Sequence, residues 1–567
     1  MIIRRFYLVC AVFTCLFPAG PSALAQQTVH IRIDATKKTG PVNPFWAYFG
    51  YDEPNFTYMK DGKKLLSELA AMSPVPVHVR THNLLNTGDG RAALKWGSTN
   101  AYTEDADGNA VYNWSVIDSI FDTFVKRGMK PIAEIGFMPE ALSTHPEPYR
   151  HYWKPGDPYE DVFTGWAYPP KDYDQWAELV YQWVKHSVSR YGAEEVKTWW
   201  WEVWNEPNIG YWKGTPEEYL KLYDYAADAV KRALPEARIG GPTSTGPGWD
   251  KAGVFLEKFL AHCAGGKNYA TGDKGAPLDY ISFHAKGSPK VINGHVQMNM
   301  RTQLKDCDEG FRIIAASAFK KLPVIIGECD PEGCAACGMH TNPENAYRNG
   351  TLYSSYTAAS FPRIAELAEK YRVNLQGAVS WSFEFEDQPW FFGFRDLATN
   401  GVDKPVLNVF RMYGMMQGEK LAVDNQTAFS APDILNTGMS DEKSDVQASA
   451  TRHADTLTIM LWNYHDDDLE KPKSTVNLTL KSIGKKDMQL QTFIVDKNHN
   501  NSYELWKKMG SPQKPTISQY AKLEEMGTMK KETIIPVVLP NQNGSVTTSI
   551  DLPLQSVVLL RLTPVTY

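Results

Sequence analysis

The chain has 567 residues with 65 acidic and 59 basic (Lys and Arg) side chains, which give a formal net charge of −6. A chain of this length exceeds one ordinary domain, so we expect two domains, one of which can be a large barrel. The acidic balance and the scattered Lys and Arg residues argue against a nucleic-acid partner.

The N-terminus has the pattern of a secretory signal peptide. Arg4 and Arg5 precede an apolar stretch over residues 6–17, and the small residues 23–25 precede Gln26. Removal of residues 1–25, with cleavage after Ala25, would give a secreted or periplasmic protein without a membrane anchor, and retention of the segment as an anchor is the alternative. No later segment has the eighteen or so uninterrupted apolar residues that a bilayer requires.

From residue 40 to 417, short apolar runs alternate with longer amphipathic segments, which is typical of repeated β-α units. Helices are indicated by three- and four-residue apolar spacing over 115–125, by a run over 176–191 that stops at Gly192, and by a capping box from Thr215 to Glu218. The eight runs that we assign to strands are 45–51, 77–85, 131–138, 198–206, 237–242, 278–284, 324–328 and 378–385. Eight such units predict an α/β fold, a (β/α)8 TIM barrel, with its active site at the C-terminal ends of the strands.

The chain changes character after residue 417. Short β-rich segments separated by polar turns occupy 456–464, 474–480, 490–495, 532–539 and 556–562. This pattern predicts an accessory β-sandwich domain over 418–567. The early strand at 29–33, within residues 26–39, could join this sandwich because chain termini often pack together.

Two apolar runs of the predicted barrel end in a carboxylate. Glu206 follows the run Trp-Glu-Val-Trp-Asn, and Glu328 follows Pro-Val-Ile-Ile-Gly. At the C-terminal ends of the fourth and seventh strands, the two groups would face one substrate. Such a pair supplies the proton donor and the nucleophile of a glycosidase without a cofactor. Glu202 lies four residues before Glu206, so alternation points it into the barrel one layer deeper, as a buried structural partner.

Several motifs of the barrel resemble one family of glycosidases. The motifs are His78-Val79-Arg80-Thr81-His82-Asn83, Glu134-Ile135-Gly136-Phe137-Met138-Pro139, Trp204-Asn205-Glu206-Pro207, Ser282-Phe283-His284-Ala285-Lys286-Gly287 and Glu328-Cys329-Asp330-Pro331-Glu332-Gly333. By these motifs the chain resembles glycoside hydrolase family 39, and segments within 501–512 resemble its secreted bacterial β-xylosidase branch. The resemblance implies a retaining enzyme with Glu206 as acid/base and Glu328 as nucleophile. It also implies that Asn205 contacts the sugar 2-hydroxyl and that Trp381 lies beneath the bound sugar.

Four further residues are candidates for substrate binding. His82 and His284 close the second and sixth predicted strands, where barrel ends converge on substrate, and a satisfied core histidine is the alternative for each. Phe383 follows Trp381 by two residues and could extend an aromatic surface under the sugar. Lys286 could approach a substrate carboxylate or point to solvent.

Five cysteines remain after the predicted cleavage. They are Cys263, Cys307, Cys329, Cys334 and Cys337. An odd number leaves at least one thiol unpaired or bonded to another chain in an oxidising compartment. The last three cluster just after Glu328, and a single C-x-x-C favours a structural role, such as a local disulfide, over a zinc site. The spacing leaves the pairing open.

These features predict an exo-acting retaining β-D-xylosidase that releases xylose from xylooligosaccharides and requires no metal or other cofactor. α-L-Iduronidase and α-L-arabinosidase are alternatives within the same family, and Lys286 falls in a motif where iduronidases meet the uronate carboxylate. A carbohydrate-binding barrel without catalysis is a further alternative, against which the presence of both carboxylates argues. The sequence leaves the oligomeric state and the linkage open.

Overall fold

A computed structural model describes residues 27–439, 443–531, 533–538, 540 and 543–565. The predicted signal peptide over residues 1–25 lies outside the described residues. Within them, none of the helices combines the length and the apolar character that crossing a membrane requires.

The first domain is a closed barrel of eight parallel strands. In chain order the strands are Tyr48–Tyr51, His78–Thr81, Lys130–Ile135, Trp200–Val203, Arg238–Ser244, Tyr280–Lys286, Pro323–Asp330 and Asn374–Ser380. Each pairs with its neighbours in sequence order, and the eighth strand closes the barrel by pairing with the first. The structure thus confirms the predicted barrel and all eight strand assignments. Most strand residues are buried on both faces, which explains their continuous apolar runs.

Helices cover the outside of the barrel. The principal ones are Lys60–Met72, Ser115–Val125, Tyr173–Tyr191, Pro216–Ala233, Asp250–Gly265, Met300–Ala316, Thr351–Tyr371 and Pro405–Met415. The short helix Ala193–Val196 follows the third of these. The capping box predicted at Thr215 forms, with the Thr215 side chain accepting a hydrogen bond from the Glu218 backbone N–H and the Glu218 carboxylate accepting from the Thr215 backbone.

The second domain contains a nine-stranded sheet that is mostly antiparallel. Its strands are Thr28–Pro41, Glu419–Asp424, Asp445–His453, Thr456–Tyr464, Ser474–Lys481, Met488–Val495, Thr533–Val538, Val546–Leu552 and Ser556–Pro564. Apolar side chains from most of these strands meet in a core of their own, separate from that of the barrel, as in the predicted β-sandwich. The N-terminal strand runs parallel to Ser474–Lys481 and antiparallel to Glu419–Asp424, so the chain enters this domain before it forms the barrel.

The segments that follow the barrel strands carry additional structure. Three hairpins are formed by Tyr102–Glu104 with Ala110–Tyr112, Lys290–Ile292 with His295–Gln297, and Ala398–Thr399 with Val402–Asp403. Single 3-10 turns occupy Pro54–Phe56, Glu140–Leu142, Tyr159–Val162, Gly165–Ala167 and Pro343–Asn349. The helices Ala431–Thr437, Ser502–Lys508 and Ile517–Gly527 belong to the second domain, and the last two pack on the loop after the eighth barrel strand. Long segments over 82–114, 136–172, 331–350 and 381–404 stand on the side of the barrel where Glu206 and Glu328 lie.

Candidate active site

Glu206 lies in a sharp turn directly after the fourth strand. Trp204 and Glu206 both have positive φ angles, 71° and 45°, which non-glycine residues rarely adopt and which cost conformational energy. The turn is held by a 2.9 Å hydrogen bond from the Glu206 N–H to the carbonyl of Thr243. Its carboxylate is mostly buried, and Oε1 lies 2.8 Å from Nδ1 of His284. The turn therefore fixes this carboxyl group over the end of the barrel.

Glu328 lies within the seventh strand and is surrounded by cations. The Lys286 ammonium donates to Oε2, and Arg80 Nη1 donates to Oε1 at 3.3 Å. Ring nitrogens of His82 and His284 each lie 3.8 Å from Oε1. Burial opposes ionisation of Glu328, but the attraction of Lys286, His284 and Arg80 outweighs it and holds the pKa of this carboxyl group well below its usual range. Glu328 is thus an ionised carboxylate, as a nucleophile must be.

The carboxylates of Glu206 and Glu328 both approach the side chain of His284. Nδ1 of His284 lies 2.8 Å from Oε1 of Glu206 and 3.8 Å from Oε1 of Glu328, so these two oxygens are separated by at most the sum of the two distances. Carboxyl groups of inverting enzymes are about 6.5 to 9.5 Å apart, and this limit falls at the lower edge of that range. Carboxyl groups of retaining enzymes are about 5 Å apart, a spacing that the limit accommodates. The geometry accommodates a retaining pair.

Arg80, on the second strand, connects the site to the barrel core. Its guanidinium is fully buried and pairs with Glu202 at 2.6 Å and with Glu134 at 3.5 Å. It also donates to Oδ1 of Asn205 at 3.0 Å. Glu202 is the buried structural partner that alternation predicts. Because Arg80 also contacts Glu328, the carboxylates of the third, fourth and seventh strands are tied to one cation.

His82 is enclosed by carboxylates. Nδ1 lies 2.8 Å from Asp52 and Nε2 lies 2.8 Å from Glu134, and no part of the ring is exposed. Burial lowers the pKa of His82, but the attraction of Glu134 and the contact with Asp52 outweigh it and raise that pKa to about 9. The ring is therefore an imidazolium held between two strand ends. A direct contact of His82 with the sugar stays a prediction, and the contacts that the structure provides are with Asp52 and Glu134.

Lys286 pairs with carboxylates of the barrel, and its approach to a substrate carboxylate stays a prediction. Its ammonium bonds to Glu328 and lies 3.2 Å from Oδ2 of Asp330, with only 21% of the side chain exposed. Burial lowers the pKa of Lys286, but Glu328 and Asp330 outweigh it and the pKa is raised above its ordinary value. Asp330 is held in turn by the buried guanidinium of Arg395 at 3.2 Å.

The two aromatic candidates, Trp381 and Phe383, pack against different residues. Trp381 donates its backbone N–H to Asp330 at 2.9 Å, and its ring packs 4.4 Å from that of His82. A Cβ at Gly50 would overlap the Trp381 ring, so this glycine makes room for it. Phe383 instead stacks on Tyr51 at 3.7 Å and is 1% exposed. The eighth strand ends at Ser380, so strand alternation does not extend to Phe383, and its contact with the sugar stays a prediction.

The loop after the seventh strand is fastened at many points. Cys334 and Cys337 form a disulfide, whereas Cys263, Cys307 and Cys329 are free and buried. The guanidinium of Arg348 donates to the carbonyls of residues 333, 334, 335 and 337 and pairs with the Glu332 carboxylate. The loop that follows the nucleophile is thereby held rigid.

Comparison with known proteins agrees with this geometry. The family model described as "Glycosyl hydrolases family 39" matches residues 29–546. The chain belongs to this family. It is 26% identical over 529 residues to a β-xylosidase of Caldicellulosiruptor saccharolyticus, covering 90% of this chain and 93% of the relative. It is 24% identical over 544 residues to the mouse (Mus musculus) α-L-iduronidase, covering 90% of this chain and 77% of the relative.

A solved structure supports the fold of this family 39 chain. The monomeric β-xylosidase of Caulobacter crescentus superposes with a TM-score of 0.70 at 24% identity, over 95% of this chain and 100% of that one. The likeness confirms the barrel with its accessory sandwich.

An insertion of this family 39 chain approaches the loops of two other barrel strands. The loop after the third strand, residues 144–164, bonds to the loop after the second strand through the Trp153 N–H and the Lys95 carbonyl. Farther along, a methyl group built on Gly156 would lie 3.7 Å from Cγ2 of Thr341, in the loop after the seventh strand. The third and seventh strands stand on opposite sides of the barrel. We name residues 144–164 the crossing loop.

Sequence reasoning missed two charged residues of the site. Asp52 directly follows the first strand, and Lys95 lies in the loop after the second strand with Nζ 3.4 Å from Asp52 Oδ2. Asp52 could have been found by the same rule that found Glu206, since it is a carboxylate directly after an apolar run. Lys95 gave no such signal, because its segment has no periodicity.

Proposed function

We propose that this family 39 glycosidase is an exo-acting retaining β-D-xylosidase. The observation that carries the reaction type is the meeting of Glu206 and Glu328 at His284, with Glu328 kept ionised by Lys286 and Arg80. β-Xylosidases of two bacteria are similar to the chain along most of its length, at 26% and 28% identity.

The arrangement supports a double displacement. Glu328 attacks the anomeric carbon while Glu206 gives its proton to the departing oxygen, and a covalent glycosyl-enzyme forms. Ester formation removes the negative charge of Glu328, so Glu206, which has given up its proton, is more stable as a carboxylate and can act as the base. Glu206 then takes a proton from water, the water attacks the anomeric carbon, and the ester bond to Glu328 breaks to release the sugar.

The pairing of the cations near Glu328 with carboxylates of the protein supports a neutral sugar as the substrate. Among the described residues around Glu328, Arg80 bonds to Glu202, Lys286 to Glu328 and Asp330, and Arg395 to Asp330. A substrate carboxylate would have to compete with these protein carboxylates. α-L-Iduronidase remains the second candidate on one observation, namely that Lys286 is the partly exposed cation beside the nucleophile.

Exo action is supported by the crossing loop. It bonds to the loop after the second strand and approaches the loop after the seventh. These two loops flank the first and eighth strands, so we assign the closed end of the pocket to that side. The side of the fourth and fifth strands, where Glu206 lies, is left for the leaving group. A pocket closed at one end accepts a chain terminus and excludes the interior of a polymer.

An assay panel tests the proposal. We expect hydrolysis of 4-nitrophenyl β-D-xylopyranoside with kcat/KM at least 10-fold above that for the α-L-arabinopyranoside and for an aryl α-L-iduronide. Glu206→Gln should slow xylobiose hydrolysis by 100-fold or more and the activated aryl xyloside far less, since only the sugar leaving group needs the proton. Glu217→Gln, at an exposed glutamate on the helix Pro216–Ala233, is the matched control. Preferred hydrolysis of the iduronide would refute the xylosidase assignment.

A further inference from the structure

Asp52 and Lys95 form a charged pair that the double displacement does not use. Their side chains are 5% and 4% exposed, and Nζ of Lys95 lies 3.4 Å from Oδ2 of Asp52. Nζ also lies 4.6 Å from the ring centre of Trp96. Lys95 has a φ of 35°, in the region that lysine rarely occupies. A buried lysine held in a strained backbone conformation indicates a position that the fold maintains against a cost.

The side chain of His82 separates this pair from Glu328, the proposed nucleophile. The imidazole of His82 contacts Asp52 through Nδ1, at 2.8 Å, and approaches Glu328 through Nε2, at 3.8 Å. One edge of this five-membered ring thus separates Asp52 from the atom that attacks the anomeric carbon. A pyranose spans a comparable distance from its anomeric carbon to its 4-hydroxyl.

The pair also lies on the closed side of the mouth. Asp52 follows the first strand and Lys95 the second, whereas Glu206 follows the fourth. The crossing loop is anchored on the Lys95 carbonyl itself, through the Trp153 N–H. The leaving group departs at Glu206, so the opposite end of the sugar points toward the first and second strands.

We propose that Asp52 and Lys95 together bind the 4-hydroxyl of the terminal xylose and so make the enzyme specific for an unsubstituted chain end. A hydroxyl group donates one hydrogen bond and accepts another, and the carboxylate and ammonium of this pair supply the complementary acceptor and donor. A sugar carrying a further residue on that oxygen loses the donated bond and meets the crossing loop. This inference rests on the proposed β-xylosidase function and adds the group that selects the terminus.

A comparison of two substrates tests the role of Lys95. We measure kcat/KM for 4-nitrophenyl β-D-xylopyranoside and for its 4-deoxy analogue, with the unmodified enzyme and with Lys95→Met. Hydrogen bonds to charged groups contribute enough that we expect the unmodified enzyme to prefer the xyloside by about 10- to 100-fold. In Lys95→Met this preference should fall toward one, mainly through loss on the xyloside. Lys221→Met, at a lysine 4.0 Å from the ring centre of Tyr173 on the outer helices, should keep the full preference.

The ratio of the two substrates is independent of how much of a variant folds, because both are measured on one preparation. Equal losses on both substrates in Lys95→Met, or no preference in the unmodified enzyme, would overturn the inference. Asp52→Asn is the second variant and should also reduce the preference. Failure of the proposed function would be recognised separately, because the unmodified enzyme would then not hydrolyse the xyloside. The same comparison with a 4-deoxy analogue would in that case be made on the glycoside that the enzyme does hydrolyse.

Discussion

Replacement of Lys286 by methionine should move the acid limb of the pH–rate profile. Glu328 must be ionised to attack, and Lys286 is the cation that contributes most to its low pKa. Methionine keeps the length and apolar stem of the lysine but removes the charge. We therefore expect Glu328 to become protonated at a higher pH in this variant.

The size of the shift follows from the contact. Two unit charges about 4 Å apart in an effective dielectric of about 20 attract by about 4 kcal/mol, and one pKa unit corresponds to about 1.4 kcal/mol. Arg80 still bonds to Glu328 in the variant and offsets part of this loss, so we expect the acid limb to move to higher pH by less than the full interaction implies.

The assay is kcat/KM for an aryl β-xyloside from pH 3.5 to 8. Relative to the unmodified enzyme, Lys286→Met should lose more activity at pH 3.5 than at pH 7, since Glu328 is ionised in both proteins at neutral pH. Lys290→Met, at an exposed lysine on the next hairpin, is the control. An acid limb that does not move, or a loss as large at pH 7 as at pH 3.5, would refute the electrostatic role and favour direct substrate binding by Lys286.

Two further predictions concern the surroundings of the site. Gly50→Ala should lower the melting temperature and reduce kcat/KM, because the added methyl overlaps the Trp381 ring and overpacking costs about 1 to 3 kcal/mol; unchanged kinetics would contradict this. Asp306 accepts from the backbone N–H groups of Gly248 and Lys286, each at 3.1 Å, and burial raises its pKa to about 7, above its unfolded value of 3.8. The stability that protonated Asp306 contributes is present below pH 4 and is lost as the pH rises to 7, by at most about 1.4 kcal/mol per pH unit. The free energy of unfolding in urea should therefore fall less steeply with pH in Asp306→Asn than in the unmodified protein.

The barrel and the paired carboxylates at its mouth could be predicted because both leave local signals. Strands buried on two faces require continuous apolar runs, and a carboxylate at the end of such a run, as at Glu206 and Glu328, stands at the C-terminal face of any parallel barrel. The capping box at Thr215 is equally local, since its partners are three residues apart.

The pairings of the site could not be predicted, because they join residues far apart in sequence. Lys286 and His82 were assigned by strand position, but their partners come from other strands, and only the closed barrel brings Glu328 and Asp52 to them. Phe383 was predicted to lie near the sugar because it follows Trp381 by two residues, but strand alternation ends at Ser380. The approach of residue 156 to residue 341 arises from two insertions without periodic patterns, so no sequence pattern indicates it.

Covalent trapping tests the central claim most directly. The enzyme is incubated with 2,4-dinitrophenyl 2-deoxy-2-fluoro-β-D-xylopyranoside, which slows breakdown of a glycosyl-enzyme, and the labelled peptide is identified by mass spectrometry. A retaining mechanism with Glu328 as nucleophile predicts time-dependent inactivation and one fluoroxylosyl group on Glu328. Hydrolysis of the xyloside with inversion at the anomeric carbon, or a label on another carboxylate, would contradict it.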